Sequence, residues 1–182
     1  MNTYQEMPTP LIDGKEIQTI VRRLGDEITA CYRACPQELV VIGLLQGAFI
    51  FMADLVRCLE LPIEVDFLGV SSYGDAAVSS GAIRLTMDTA VDIAGRDVLL
   101  VEDIVDTGIT IQAVRRLLEL RKPRSLRVCA FLSKPDCRRV TAEVDFLGKE
   151  IDNVFVVGYG LDYARKFRHL PFVGRIDLVN RT

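Results

Sequence analysis

Apolar residues recur along this chain at two spacings, and each spacing predicts a different element. Ile17, Ile20, Val21, Leu24 and Ile28 stand three or four residues apart, which predicts a helix over 16–32 with one buried stripe. Leu39–Leu45 is an unbroken apolar run, the pattern of a strand covered on both faces. The apolar stretch continues to Ala53, but Gln46-Gly47 interrupts it and Asp54 closes it, short of the roughly 20 residues a membrane span needs, so it reads as strand, turn and helix. Strands follow over 63–70 and 83–87, separated by a Ser-, Gly- and Ala-rich stretch, 71–81, whose lack of period predicts a long mobile loop. A strand over 98–101, a helix over 109–120 carrying Ile111, Val114, Leu117 and Leu118, and a strand over 126–132 ending at Ser133-Lys134 complete the pattern. Strands alternating with helices predict an α/β fold, a mostly parallel twisted sheet flanked by helices. No repeat, linker or low-complexity tract divides the chain, so residues 1–182 read as a single domain.

Composition narrows the class. With 182 residues, 49% hydrophobic and 26% charged, the chain is long enough for one domain burying roughly 70% of its unfolded surface. A net charge of −3 argues against broad electrostatic binding to nucleic acid or an anionic membrane. The first residues carry Asp, Glu, Pro and Gly with no apolar core, so no signal peptide is expected and the cytoplasm is the expected compartment. Five cysteines without a CxxC pair suit a reducing environment; Cys31 and Cys35 would lie one turn apart on a helix, but a zinc site is disfavoured in a chain with a single histidine. That histidine, His169, sits by a Leu170-Pro171 turn, and no nucleophile elbow accompanies it, which counts against serine or cysteine hydrolases.

The stretch from Val98 to Thr110 carries the clearest chemistry. A buried strand runs into Glu102 and Asp103, and Asp106, Thr107, Gly108, Ile109 and Thr110 then form a tight turn opening a helix. The acids are expected at the carboxyl end of a parallel strand, where open α/β sheets bind ligands. The turn offers helix N–H groups and a positive dipole end to a phosphate, and Gly108 lets the backbone come close. Adjacent carboxylates would repel that phosphate unless they face a neutral part of the same ligand; a ribose diol, donating two hydrogen bonds, fits. The plainer reading is a surface helix with Asp106 as its cap, a role Asp106 could also combine with binding. A receiver domain also ends a strand in an acid pair, but near its start rather than past its middle.

The acid pair followed by Asp-Thr-Gly-x-Thr resembles the phosphoribosyl-pyrophosphate (PRPP) signature of type I phosphoribosyltransferases. A second stretch, Val154 to Tyr163 followed by Phe167-Arg168, is similar to the hypoxanthine (hypoxanthine-guanine) branch of that family in its bacterial form. The resemblance implies purine salvage: transfer of the 5-phosphoribosyl group from PRPP to N9 of hypoxanthine or guanine, with pyrophosphate leaving. It implies that Glu102 and Asp103 hold the ribose hydroxyls and that the turn from Asp106 to Thr110 holds the 5′-phosphate. Gln46, Gly47 and Arg168 would hold pyrophosphate, with a cis peptide between Leu45 and Gln46. Phe155 would stack on the purine, the Val156 backbone would contact its ring, and Lys134 would donate to O6. Asp162 would bind magnesium opposite the pyrophosphate and help frame the purine, with Glu102 and Asp103 sharing the metal. Asp106 would act as general base toward N7, and Ser72-Tyr73 would begin a lid.

The same resemblance implies a core over about 36–150 with a small hood from the N-terminal segment and about 151–182, small-molecule substrates, and a homodimer or homotetramer. Two departures stand out: Gln46, where relatives often carry Lys or Arg, and Ile109, where they often carry a polar residue. A phosphoribosyltransferase for xanthine or another base shares the first motif, and a PRPP-sensing RNA-binding regulator shares the fold. The acidic composition and the Phe155 to Asp162 segment count against the regulator.

Overall fold

The structure, a computed structural model, describes residues 7–72 and 83–176. Its centre is a six-stranded sheet in the order β4-β3-β2-β5-β6-β7, built from β2 (Leu39–Leu45), β3 (Ile63–Ser72), β4 (Ile83–Met87), β5 (Asp97–Val105), β6 (Ser125–Ser133) and β7 (Phe146–Glu150). All neighbours run parallel except β4, which pairs antiparallel with β3 at one edge. A smaller three-stranded antiparallel sheet joins β1 (Thr9–Ile12), β9 (Val173–Arg175) and β8 (Val156–Val157), in that order. The fold is α/β, as the alternating pattern predicts.

The uninterrupted apolar runs have a direct cause in the two cores. Successive residues of β5 point to opposite faces, so Leu99 and Val101 join α1 (Gly14–Tyr32) and α2 (Phe49–Val56), while Val98 and Leu100 join α3 (Ile109–Glu119). All four are fully buried. Each such side chain contributes about 1.5–3 kcal/mol, so a polar residue anywhere in the run would cost stability on one face or the other. Helix α1 begins where Asp13 accepts from the N–H groups of Lys15 (2.9 Å) and Glu16 (2.8 Å), two residues before the predicted start. It ends at Tyr32, so Cys35 lies beyond the helix and not one helical turn along it from Cys31.

Several boundaries differ from expectation. The strand predicted over 98–101 runs from Asp97 to Val105, because Glu102 and Ile104 continue the ladder against Ala130 and Leu132 of β6. The acids therefore belong to the strand's last residues and do not follow it. Helix α2 passes Asp54 and ends at Val56, since Leu55 still packs into the core. β3 extends to Ser72 through pairing with Ile83, so 71–72 belong to the strand; the rest of the expected loop, 73–81, Tyr73 included, lies outside the described residues. Strands β1, β7 and β9 have no counterpart in the sequence reading.

The strand order locates the site. From β2 the chain moves outward to β3 and β4, then returns to place β5 on the other side of β2. The connections leaving the carboxyl ends of β2 and β5 consequently diverge, which opens a crevice between them, the place where doubly wound sheets bind ligands.

Candidate active site

Both walls of that crevice carry residues singled out by the sequence. After β2 the chain turns through Gln46-Gly47, with a cis peptide between Leu45 and Gln46, and enters α2. After β5 it turns through Asp106, Thr107 and Gly108 into α3. The walls nearly touch: a Cβ on Gly47 would run into the Asp103 carboxylate. Only a residue without a side chain lets the two loops approach this closely.

Glu102 and Asp103 differ in environment. Asp103 is buried, and its Oδ1 accepts from the Ile104 N–H at 2.9 Å. Glu102 has a buried Oε2 with no hydrogen-bond partner. Burial, and after it the neighbouring Asp103 charge, raises the Glu102 carboxyl well above the ordinary range. A buried oxygen left without a donor is costly, on the order of 1–3 kcal/mol, and it marks an acceptor for a ligand hydroxyl or a cation.

The phosphate-type turn is held from below. Gly108 takes φ +83°, left-handed backbone that an L side chain resists, and it is the N-cap of α3 with no side-chain capping bond. Asp106 is thus not the helix cap; its side chain is exposed and lies 3.9 Å from Lys134 Nζ. Thr107 Oγ1 accepts weakly from the Ile109 N–H at 3.4 Å, and Thr110 is exposed on the first turn. The segment after β6 braces the turn: Arg138 donates to the Asp106 carbonyl and to Ser133 Oγ, both at 2.9 Å, and the Arg139 N–H donates to the Thr107 carbonyl at 3.0 Å. Arg138 was not anticipated from the sequence. A lone basic residue four positions after Lys134 carries no signal until the chain folds back on the turn.

Lys134 is only 7% exposed, an unusual place for a lysine. Its N–H donates to the Val105 carbonyl at 3.0 Å, which fixes it beside the end of β5. The Ile151 N–H donates to the Ser133 carbonyl at 2.9 Å, so the segment leading to Phe155 and Val156 departs from the same edge. Val156 is buried in β8, whereas the Phe155 ring is exposed and meets Tyr163 edge-on at 5.5 Å. Farther along, Asp162 Oδ1 pairs with Arg168 Nη2 at 2.7 Å, and Arg168 also donates to the Gly160 carbonyl. A Cβ on Gly160 would strike the Gly47 carbonyl, so this loop rests directly on the turn after β2. Ser72 ends β3, and nothing further bears on the expected lid.

The donor set suits a hard cation held largely by a ligand's own oxygens. Among the described residues no group of three or more His, Cys, Asp or Glu side chains could hold a metal ion, so a cation here would take most of its ligands from a bound anion, with the unpartnered Glu102 Oε2 as an open acceptor beside Asp103.

An acid pair, a glycine turn opening a helix and a buried lysine meet at this topological switch point, and the chain belongs to the phosphoribosyltransferase family: the profile of the phosphoribosyl transferase domain matches residues 13–164. Within that family it falls among the hypoxanthine and hypoxanthine-guanine enzymes. The hypoxanthine phosphoribosyltransferase of Salmonella typhimurium is 46% identical over 170 residues, 93% of this chain and 96% of the relative. The hypoxanthine-guanine phosphoribosyltransferase of Mycobacterium avium is 44% identical over 176 residues, 94% of this chain and 87% of the relative. The crystal structure of a hypoxanthine-guanine phosphoribosyltransferase from Bacillus anthracis superposes with a TM-score of 0.89 at 36% identity, covering 94% of this chain and 100% of that one. The Trypanosoma cruzi hypoxanthine phosphoribosyl transferase gives 0.90 at 36% identity over 97% and 95% of the two chains.

Proposed function

We propose that this protein transfers the 5-phosphoribosyl group of PRPP to N9 of hypoxanthine or guanine, yielding the nucleotide and pyrophosphate. The observation that carries the reading is the pairing of a nearly buried Lys134 with Asp106 at 3.9 Å, beside a turn whose helix N-terminus has no side-chain cap. Thr107, Gly108, Ile109 and Thr110 hold the 5′-phosphate through backbone N–H groups and hydroxyls. Glu102 and Asp103 accept the ribose hydroxyls, which supplies the donor that Glu102 Oε2 lacks. Gln46, Gly47 and Arg168 receive the pyrophosphate; for Arg168 this exchanges the Asp162 carboxylate for a stronger anion. Phe155 offers its exposed face for stacking, Val156 its backbone, and Asp162 helps frame the ring.

Magnesium, when bound, neutralises charge on the departing pyrophosphate, with Asp162, Glu102 and Asp103 as the residues that would hold it. The chain's own contribution is positional and electrostatic. Displacement at C1′ builds positive charge on the sugar, which the acid pair stabilises, and the two walls keep nucleophile and leaving group in line. Lys134 Nζ donates to O6 of a 6-oxopurine, a contact adenine's amino group cannot accept. Asp106 takes the N7 proton, which becomes acidic only as the N9 bond forms, so a weak base is sufficient. The smaller sheet acts as a hood over a single-domain core, and the enzyme works in the cytoplasm as a homo-oligomer.

Lys134→Met tests the assignment. Loss of one charged donor to a buried acceptor lowers kcat/KM for hypoxanthine by about 100-fold, with the KM for PRPP changed far less. An unchanged kcat/KM would remove Lys134 from base recognition.

A further inference from the structure

Three consecutive residues of the loop after β8 take left-handed backbone: Gly158, Tyr159 and Gly160, at φ of 95°, 51° and 99°. Glycine adopts that region freely, but an L side chain resists it, so the tyrosine must be held there by its contacts. Packing holds the ring. Tyr159 is 5% exposed and lies 5.1 Å from the Phe131 ring of β6, which in turn meets Phe51 of α2 at 5.2 Å. A polar contact holds the tip: the Tyr159 hydroxyl donates to Asp54 Oδ2 at 2.8 Å. Burial, and after it the Asp54 carboxylate, push the phenol well above its ordinary range, so it stays protonated as a donor.

The transfer reaction uses neither residue, yet each is attached to a part that it does use. Asp54 belongs to α2, the helix entered directly from the Gln46-Gly47 turn. Tyr159 stands three residues after Val156 and three before Asp162, the backbone and the carboxylate assigned to the purine. The stretch between them is cross-tied: Gly158 and Leu161 exchange main-chain hydrogen bonds of 2.9 and 3.1 Å, and the Tyr159 N–H donates to the Leu170 carbonyl at 2.9 Å. Arg57 donates to Asp54 Oδ1, leaving Oδ2 to the phenol. A phenylalanine would fill the same space against Phe131, and the Asp54 side chain, 35% exposed, could take its donor from water. Neither packing nor polar satisfaction therefore requires this bond; what it adds is a fixed position for the loop.

We propose that the hydrogen bond from Tyr159 to Asp54 sets the loop that frames the purine, which makes both side chains positioning residues for base binding. The proposal rests on the phosphoribosyl transfer argued above and adds to it two residues that touch no substrate.

The test compares wild type with Tyr159→Phe, Asp54→Ala, Asp54→Asn and the double variant Tyr159→Phe with Asp54→Ala. Turnover with hypoxanthine and PRPP is measured well below each variant's unfolding transition, alongside amide hydrogen exchange over the loop 158–162. Tyr159→Phe keeps the ring and is expected to raise the KM for hypoxanthine about tenfold. Its kcat and its KM for PRPP should stay within about twofold, because the acid pair and the phosphate turn belong to β5 and α3 and not to this loop. Asp54→Ala should match it, the double variant should lose no more than either single one, and Asp54→Asn, which keeps an acceptor, should recover most of the affinity. Exchange at Gly158 and Leu161 should quicken in Tyr159→Phe. An unchanged hypoxanthine KM in an active Tyr159→Phe enzyme would overturn the proposal. So would a fall in kcat alone, the mark of a smaller folded fraction, or additive losses in the double variant. A wild type inactive with both hypoxanthine and guanine would contradict the proposed reaction and the base-binding role together, and exchange unaltered by Tyr159→Phe would show that the bond does not hold the loop.

Discussion

Asp97 shows how one residue can tie fold to site without touching a ligand. It opens β5, is 3% exposed, and accepts from Arg124 Nε at 3.0 Å and Ser125 Oγ at 2.6 Å across the β5–β6 ladder. The Arg124 guanidinium first, and then the Ser125 and Cys35 hydrogen bonds, hold its carboxyl well below the usual carboxylate range against the cost of burial. A carboxyl depressed on folding stabilises the native state above its unfolded pKa of about 3.9, and the contribution fades as pH falls below that value. Asp97→Asn should therefore cost about 2 kcal/mol in urea unfolding at pH 7, with the deficit shrinking by pH 3. A deficit equal at both pH values would show that ionisation contributes nothing. The sequence offered no hint of this cluster, because Asp97, Arg124 and Cys35 are distant in the chain and meet only when β5 and β6 pair. Glu102 and Asp103, by contrast, stood out as adjacent acids at the end of an apolar run, whereas Lys134 was singled out only through the family resemblance, because a lysine at a strand's end otherwise reads as solvated.

At the scale of elements, long apolar runs were read well and short partnered strands were not. Leu39–Leu45 matches β2 end to end, since a strand buried on both faces writes its whole length as apolar residues. β1 and β9 have four and three residues and take their stability from pairing with each other, so no local period marks them. β7 escaped notice for the same reason: it is an edge strand carrying Gly148, Lys149 and Glu150. The turn into α3 was legible as a glycine between Thr107 and Ile109, and its structural reason is now specific. A Cβ on Gly108 would stand 2.9 Å from the Ala142 Cβ and 3.0 Å from the Val140 carbonyl oxygen, in addition to the φ of +83°. Gly108→Ala should lower Tm by about 2–5 °C and raise the KM for PRPP severalfold. Thermal unfolding and PRPP titration would detect both, and a variant with wild-type values for each would mean that the turn tolerates a side chain and does not need close approach.

The whole molecule turns on one topological fact, the reversal of strand order at β2 and β5, which puts Gln46-Gly47 opposite Asp103 and Asp106. Sequence periodicity predicts a parallel sheet but not the order of its strands, so the contact between Gly47 and Asp103 was beyond it. Two contacts tie the segments flanking β8 to the walls of this crevice: the Ile151 N–H donates to the Ser133 carbonyl, and a Cβ on Gly160 would strike the Gly47 carbonyl. Pyrophosphate release from PRPP and magnesium, followed in parallel with hypoxanthine, guanine, xanthine and adenine, tests this arrangement most directly. Turnover with hypoxanthine or guanine at least about 100-fold above adenine is the result predicted from a buried lysine donor at O6. Equal use of adenine, or no turnover with any of the four despite PRPP binding, would contradict it.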